Sequence, residues 1–198
     1  MARLLLLSIF ILLLPSVWGQ ASPLPSVSIE CEGGPYEIDV FPGADMDTVV
    51  TCTVSNDSIH SETVEFSVSA DDLSFTAPDN VDVSPGSEEE IQITFRGDSS
   101  KLPGTRSVDI NATITTANGI PCTLGCGEDS ESFEVEILQF SSLSVASRTG
   151  TLNLEVDTNG EVMFDITNKG NTNDEFSVNI ENESGIESLG FQFVLNGT

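Results

Sequence analysis

After residue 24, apolar side chains recur at every second position. Val50, Cys52 and Val54 alternate with Thr51, Thr53 and Ser55, and Val64, Phe66 and Val68 alternate with Glu65 and Ser67. The rhythm returns in Ile91, Ile93 and Phe95, in Val108, Ile110, Ala112 and Ile114, and in Phe133, Val135 and Ile137. Successive side chains of a strand point to opposite faces, so each run buries one face and wets the other. Val, Ile, Thr and Phe dominate, which suits a pleated surface. Between the runs lie Pro42-Gly43, Asp71-Asp72, Pro85-Gly86, Pro103-Gly104 and Asn118-Gly119, all of them turn chemistry. No stretch carries a convincing helical i, i+3, i+4 apolar stripe. Short strands spaced by about 8–12 residues predict an all-β fold, and a stretch of about 115 residues fits one immunoglobulin-like sandwich.

The segment Val50–Asn56 recurs as Val162–Asn168, an offset of 112 (162 − 50). The same offset carries Val64, Phe66 and Val68 onto Phe176, Val178 and Ile180 without a gap. A period close to one sandwich predicts tandem domains, here 25–140 and 141–198. The second copy is expected to be incomplete, because three strands of the first have no counterpart before Thr198. A sandwich without its last strands leaves sheet edges open. The expectation is therefore a fragment, with further domains and a membrane or cell-wall anchor in a C-terminal region beyond it. A complete chain is the other reading.

The N-terminus has the grammar of a secretory leader. Arg3 precedes an apolar run from Leu4 to Leu14, Pro15 ends it, and Val17-Trp18-Gly19 places small residues at −3 and −1 before Gln20. The run is shorter than the ~20 residues that span a bilayer. Residues 1–22 are read as a signal peptide, an uncleaved anchor being the alternative. The expected address is the cell surface or the extracellular space.

The chain carries 32 Asp and Glu against 6 Lys and Arg, a formal net charge of −26. No basic stripe is available to displace counterions from nucleic acid. The acids fall in turns and at outward positions such as Glu65, Asp109, Glu134 and Glu136. Such a surface repels itself at low salt, and at ~1 M salt the Debye length of about 3 Å screens the repulsion. This reads as a halophilic surface, suited to seawater or brine. Asp45 with Asp47, Asp71 with Asp72, Glu88 to Glu90, and Asp157 with Glu161 read as solvated turns and faces; the other reading is weak calcium bridging. No other cofactor is expected.

An exported chain with four cysteines is expected to form disulfides. Cys31 shares a face with Val27 and Ile29, and Cys52 points inward with Val50 and Val54. Cys122 and Cys126 share a loop with Gly125 and Gly127. The favoured pairs are Cys31–Cys52 and Cys122–Cys126, with Cys52–Cys122 as the rival. Asn56, Asn111, Asn182 and Asn196 begin glycosylation triplets. Asn56 and Asn182 read as turn residues and Asn111 as outward-facing, all compatible with surface glycans. For catalysis the sequence offers no nucleophile elbow and no phosphate loop. The lone His60 lies in a polar turn between Ser58 and Ser61, which reads as incidental. The expectation is a non-enzyme without catalytic or metal-binding residues.

The order Pro42-Gly43, strand, Asn56, strand, Asp71-Asp72, Val83-Ser-Pro85-Gly86, strand, Leu102-Pro103-Gly104-Thr-Arg-Ser-Val108 resembles the prokaryotic Ig-like domains of the alpha-galactosidase-associated and CARDB cell-adhesion type. The likeness covers about 40–115 well and 155–180 in part. The second copy has Asn159-Gly160 in place of the first Pro-Gly, and the cysteines are outside the pattern. With the leader and the acidity, the chain looks like the N-terminal part of an archaeal choice-of-anchor surface protein. The resemblance implies a structural or adhesive protein with protein or glycan partners outside the cell. The alternative is an accessory spacer ahead of a secreted glycosidase or protease. A glycan-binding module would show more exposed aromatics than a mature chain with one Tyr and no Trp.

Overall fold

The computed structural model describes residues 21–192, 194 and 195. The expected leader lies outside the described residues except for its last two positions, and so does the sequon at Asn196. The chain divides into two compact units, Met1–Phe140 and Ser141–Thr198.

The strands of the first unit are β1 (Val27–Cys31), β2 (Tyr36–Ile38), β3 (Asp47–Asn56), β4 (Glu62–Ser69) and β5 (Ser74–Thr76), then β6 (Asn80–Val83), β7 (Glu88–Arg96), β8 (Gly104–Ala117), β9 (Ile120–Pro121) and β10 (Glu128–Ile137). One sheet has the order β1-β3-β7-β5 and the other β2-β10-β8-β4-β6, with β9 against β8. All pairings are antiparallel except β2 with β10. In the lettering of immunoglobulin-like sandwiches, β1, β3, β7 and β5 take places A, B, E and D, while β4, β8 and β10 take C, F and G. The all-β, immunoglobulin-like assignment thus rests on strand order as well as on strand content.

Alternation explains the layers. Val50, Cys52 and Val54 of β3 and Ile91, Ile93 and Phe95 of β7 are buried from one side. Val64 of β4, Val108 to Ile114 at alternate positions of β8, and Val135 and Ile137 of β10 close on them from the other. The intervening Glu65, Asp109, Glu134 and Glu136 are exposed, as expected. Each fully buried aliphatic side chain contributes about 1.5–3 kcal/mol relative to exposure. A one-residue slip would turn a whole row into water, so the register is strongly specified.

Arg106 ties two turns to this frame. Its Nε lies 2.5 Å from Asp72 Oδ1, and its Nη1 and Nη2 donate to the Gly104 and Leu102 carbonyls. Gly104 holds φ 132°, a conformation that β-carbon-bearing residues rarely adopt. The Ser107 N–H donates to Asp71 Oδ2 at 2.9 Å.

Cys31 stands opposite Cys52 in the β1–β3 register, and the two are bonded. Cys122 and Cys126 are also bonded. The rival Cys52–Cys122 pairing is overturned: Cys52 is enclosed beside β1, and Cys122 follows β9 on the other sheet.

In the second unit, β11 (Leu143–Ser147) and β12 (Phe164–Asn168) form an antiparallel pair. The strand expected over Phe176, Val178 and Ile180 is not formed. Its counterpart β4 is held between β8 and β6, both later in the sequence, and the second unit has no such neighbours among the described residues. A short helix, α1 (Glu183–Glu187), follows, which the periodicity did not signal.

Replacing Cys31 and Cys52 together by Ala is expected to lower unfolding free energy by about 3 kcal/mol, the loop-closure value for a separation of 21. The same change at Cys122 and Cys126, separated by 4, is expected to lower it by less. Urea unfolding of the two double variants checks the order.

Candidate functional site

The turn between β3 and β4 carries a polar cluster inside the sandwich. Asn56, Ser58 and Glu62 are 1%, 0% and 1% exposed. Each follows from phase: Asn56 continues the inward row of Val50, Cys52 and Val54, and Glu62 begins the inward row of Val64. Burying polar groups is costly unless they are hydrogen-bonded. The Asn56 side chain donates to the carbonyls of His60 at 2.8 Å and Val83 at 3.1 Å, and accepts from Ser58 N–H at 2.8 Å. Glu62 Oε1 accepts from the Ser58 hydroxyl at 2.6 Å and from Ser26 N–H at 3.0 Å, while Oε2 is buried with no hydrogen-bond partner. The cluster thereby joins the start of β1, the end of β3 and the end of β6. Since β3 and β6 belong to different sheets, it staples the sandwich at one corner.

Four observations place the other residues singled out by the sequence. The His60 ring lies 3.0 Å from the Pro23 carbonyl and 2.9 Å from Asn118 Nδ2. The Ser58 hydroxyl donates to Glu62 and accepts from His60 N–H, which makes the His60–Ser58 neighbourhood part of this corner. The Asn56 side-chain nitrogen, where a glycan would attach, is buried and makes two hydrogen bonds. Asn111 and Asn182 are exposed. Asp72, expected in a solvated turn, is paired with Lys101 at 3.0 Å and Arg106 at 2.5 Å. Hydrogen bonds from Lys101, then Arg106, hold its carboxyl below the ordinary 3.8. No three His, Cys, Asp or Glu side chains converge as a metal would need, among the described residues.

Tyr36 packs on Phe133 with ring centroids 5.1 Å apart, and Phe133 lies edge-on to Phe95 at 5.9 Å. Burial foremost, with the charges of Glu32 and Glu131, raises the Tyr36 hydroxyl above 10.0.

Part of the corner recurs in the second unit, around an Asn168 that is exposed where Asn56 is buried. Asn168 Oδ1 accepts from Gly170 N–H at 2.8 Å, and Nδ2 donates to the Thr172 carbonyl at 2.7 Å. Asp174 Oδ1 accepts from the Ser141 hydroxyl at 2.9 Å, and Asp174 Oδ2 is buried with no hydrogen-bond partner. Residues 168, 170, 172 and 174 are 56, 58, 60 and 62 shifted by the same 112. Sequence reading found the Asn pair and missed the carboxylates. The signals for Glu62 in the sequence are its inward phase with Val64 and its match to Asp174.

No family model and no curated protein matches the sequence. Similar solved structures include native alpha-2-macroglobulin from Escherichia coli, spanning domain MG7 to the C-terminus, at 10% identity and TM-score 0.43 over 63% of this chain and 19% of that one. The FixG-related protein from Vibrio parahaemolyticus is 16% identical, with TM-score 0.39, over 56% of this chain and 96% of its own. The Salmonella enterica SafA pilin in complex with the SafB chaperone gives 17% and 0.39, over 59% and 56% of the two chains. This chain spans only 19% and 10% of the first two macroglobulin structures it matches. The fold assignment stands on the strand order and register.

Replacing Asn56 by Ala strands partners in the β3–β4 turn and at the end of β6, and is expected to cost about 2–4 kcal/mol in urea unfolding. Asp72→Asn should cost about 0.5–1 kcal/mol at pH 7, since its pairs are half-exposed and screened. The folded Asp72 pKa is lowered, so the stabilisation is complete above 3.8 and is lost as pH falls through the folded value. The stability gap between the two proteins should therefore close in acid, which melting at pH 7 and below pH 3 would measure.

Proposed function

We propose that this chain is an exported, non-catalytic structural or adhesive element of a cell surface, in which immunoglobulin-like units are repeated in tandem. The observation that carries this reading is the repeated corner. The Asn56 bonds from Ser58 N–H and to the His60 carbonyl have counterparts at Asn168, Gly170 and Thr172, and Asp174, at the place of Glu62, also accepts a serine hydroxyl. What the chain repeats is a hydrogen-bonded turn at the end of a strand, as tandem copies of one structural unit would. The buried polar residues of the corner are committed to the fold.

Two further features support it. All four cysteines are bonded, and disulfides persist in oxidising compartments outside the cytosol. Most acids on the strands point outward, and the net charge of −26 suits a brine-bathed surface that stays apart from its neighbours. The finer reading is an archaeal surface protein of the choice-of-anchor type, with protein or glycan partners and an anchor further along. It rests on the motif resemblance described above.

Fusion of residues 1–22 to a reporter is expected to send the reporter out of the cell. Retention in the cytoplasm would overturn the proposal at its first step, since every later element presumes export.

A further inference from the structure

The acids of the first unit are unevenly shared between its two ends. At one end lie the segment before β1 (21–26), the β3–β4 turn (57–61), the β6–β7 turn (84–87) and the β8–β10 connection (118–127), which contains β9. These segments hold one acid, Asp57. The loops of the opposite end, 39–46, 70–73 and 97–103, hold Asp39, Asp45, Asp71, Asp72 and Asp98. From Asn111 to Gly127 the chain runs without an Asp, Glu, Lys or Arg. Apolar side chains stand where charge is missing: Leu24, Ile59, Ile120 and Leu124 are 67%, 56%, 69% and 94% exposed. Hydrogen bonds tie the segments together. Asn118 Oδ1 accepts from Ser61 N–H at 3.0 Å, and Asn118 N–H donates to the Ser61 carbonyl at 2.7 Å. Ile59 N–H donates to the Ser22 carbonyl at 3.0 Å, next to the bond between the His60 ring and the Pro23 carbonyl. Cys122 N–H donates to the Thr115 carbonyl at 2.8 Å and Ile114 N–H to the Gly127 carbonyl at 3.1 Å, so the loop stands on β8 at both feet. The Cys122–Cys126 bond closes it into a small ring that holds Leu124 out in water.

We propose that this end of the first unit is a self-association surface, and that its occupant is the same end of a second copy of this chain. The inference deepens the adhesive reading and rests on it for its setting outside the cell. Charge selects the occupant. A chain with a net charge of −26 repels its own copies, and contact is least opposed where both partners carry the fewest carboxylates, which is this end against this end. The four segments hold no Lys or Arg to meet anionic lipid headgroups, and no Phe, Tyr or Trp to stack on sugar rings. A two-fold contact uses the same patch on both partners, so each copy offers Leu124 to the other's Leu24, Ile59 and Ile120. An apolar anchor already fixed by a closed ring loses little conformational freedom on binding. Glu88 and Glu128 begin β7 and β10 at the rim of this end, where salt screens them. The contact therefore tightens as salt rises.

The test is sedimentation equilibrium of the full chain in about 0.1 M and about 1 M NaCl. A monomer–dimer equilibrium is expected, tighter at the higher salt. Leu124→Asp places a charge in the middle of the contact and is expected to raise the dissociation constant about tenfold or more. Leu102→Asp makes the same change at an exposed leucine of the opposite end and is expected to leave the constant unchanged. Both side chains lie outside the core, so both variants keep the fold. A chain that stays monomeric at both salts overturns the proposal. So does a dimer that survives Leu124→Asp, since its contact then lies elsewhere on the chain. Flotation with neutral phosphatidylcholine vesicles that Leu124→Asp abolishes also overturns it, because lipid is then the occupant. The measurement is made on purified protein, so a negative result leaves the export test untouched, and a failed export test leaves the dimer standing.

Discussion

The inward row of β3 is the constraint on which the rest of the molecule depends. Val50, Cys52, Val54 and Asn56 are all essentially buried, and each meets a different partner. The aliphatic members pack on the opposite sheet. Cys52 is bonded sideways to β1, and Asn56 reaches the carbonyls of His60 and Val83. Hydrophobic burial supplies most of the driving force but is non-directional. The disulfide and the amide add direction: one fixes the β1–β3 register, the other ties β3 to an edge strand of the second sheet. Nearly all of the core follows once this strand is placed, because β7 and β1 read their registers from it.

The charge distribution obeys the same geometry. With 32 acids and 6 bases, few acids find a cation, and the described ion pairs use Lys101, Arg106 and Arg148. Arg106 and Lys101 meet at Asp72, where they fasten the turn after β4 to the segment that leads into β8. Surface pairs are individually weak. Their effect here is to remove one like-charge contact from a surface full of them. Glu62 is the exception to outward placement. Its Oε1 takes two hydrogen bonds, from Ser58 and Ser26, and those bonds offset part of its desolvation. Asp174, at the position matching Glu62, likewise accepts a serine hydroxyl with one oxygen and keeps the other buried.

Much of the first unit was legible in the sequence. The period of two located β3, β4, β7, β8 and β10, since alternation is a local property of the chain. The inward phases of Cys31 and Cys52 anticipated their bond for the same reason. The corner was less legible. Asn56 reads as a turn residue by type, and only the partners at Val83 and His60 show why it is buried. Glu62 reads as solvent-facing by type, and its burial follows from a row phase that composition does not express.

The second unit marks the boundary between the two kinds of information. The sequence by itself determined which residues are strand-like, which faces are apolar, that the pattern recurs after 112 positions, and that the surface is strongly acidic. Only the tertiary structure decided which of those segments become strands. Phe176, Val178 and Ile180 match Val64, Phe66 and Val68 in pattern, yet only the latter lie in a strand, between β6 and β8. The physical reason is that a strand's hydrogen bonds are made to its neighbours. A helix closes its bonds within one segment, but an alternating segment becomes a strand only when a second segment arrives to pair with it.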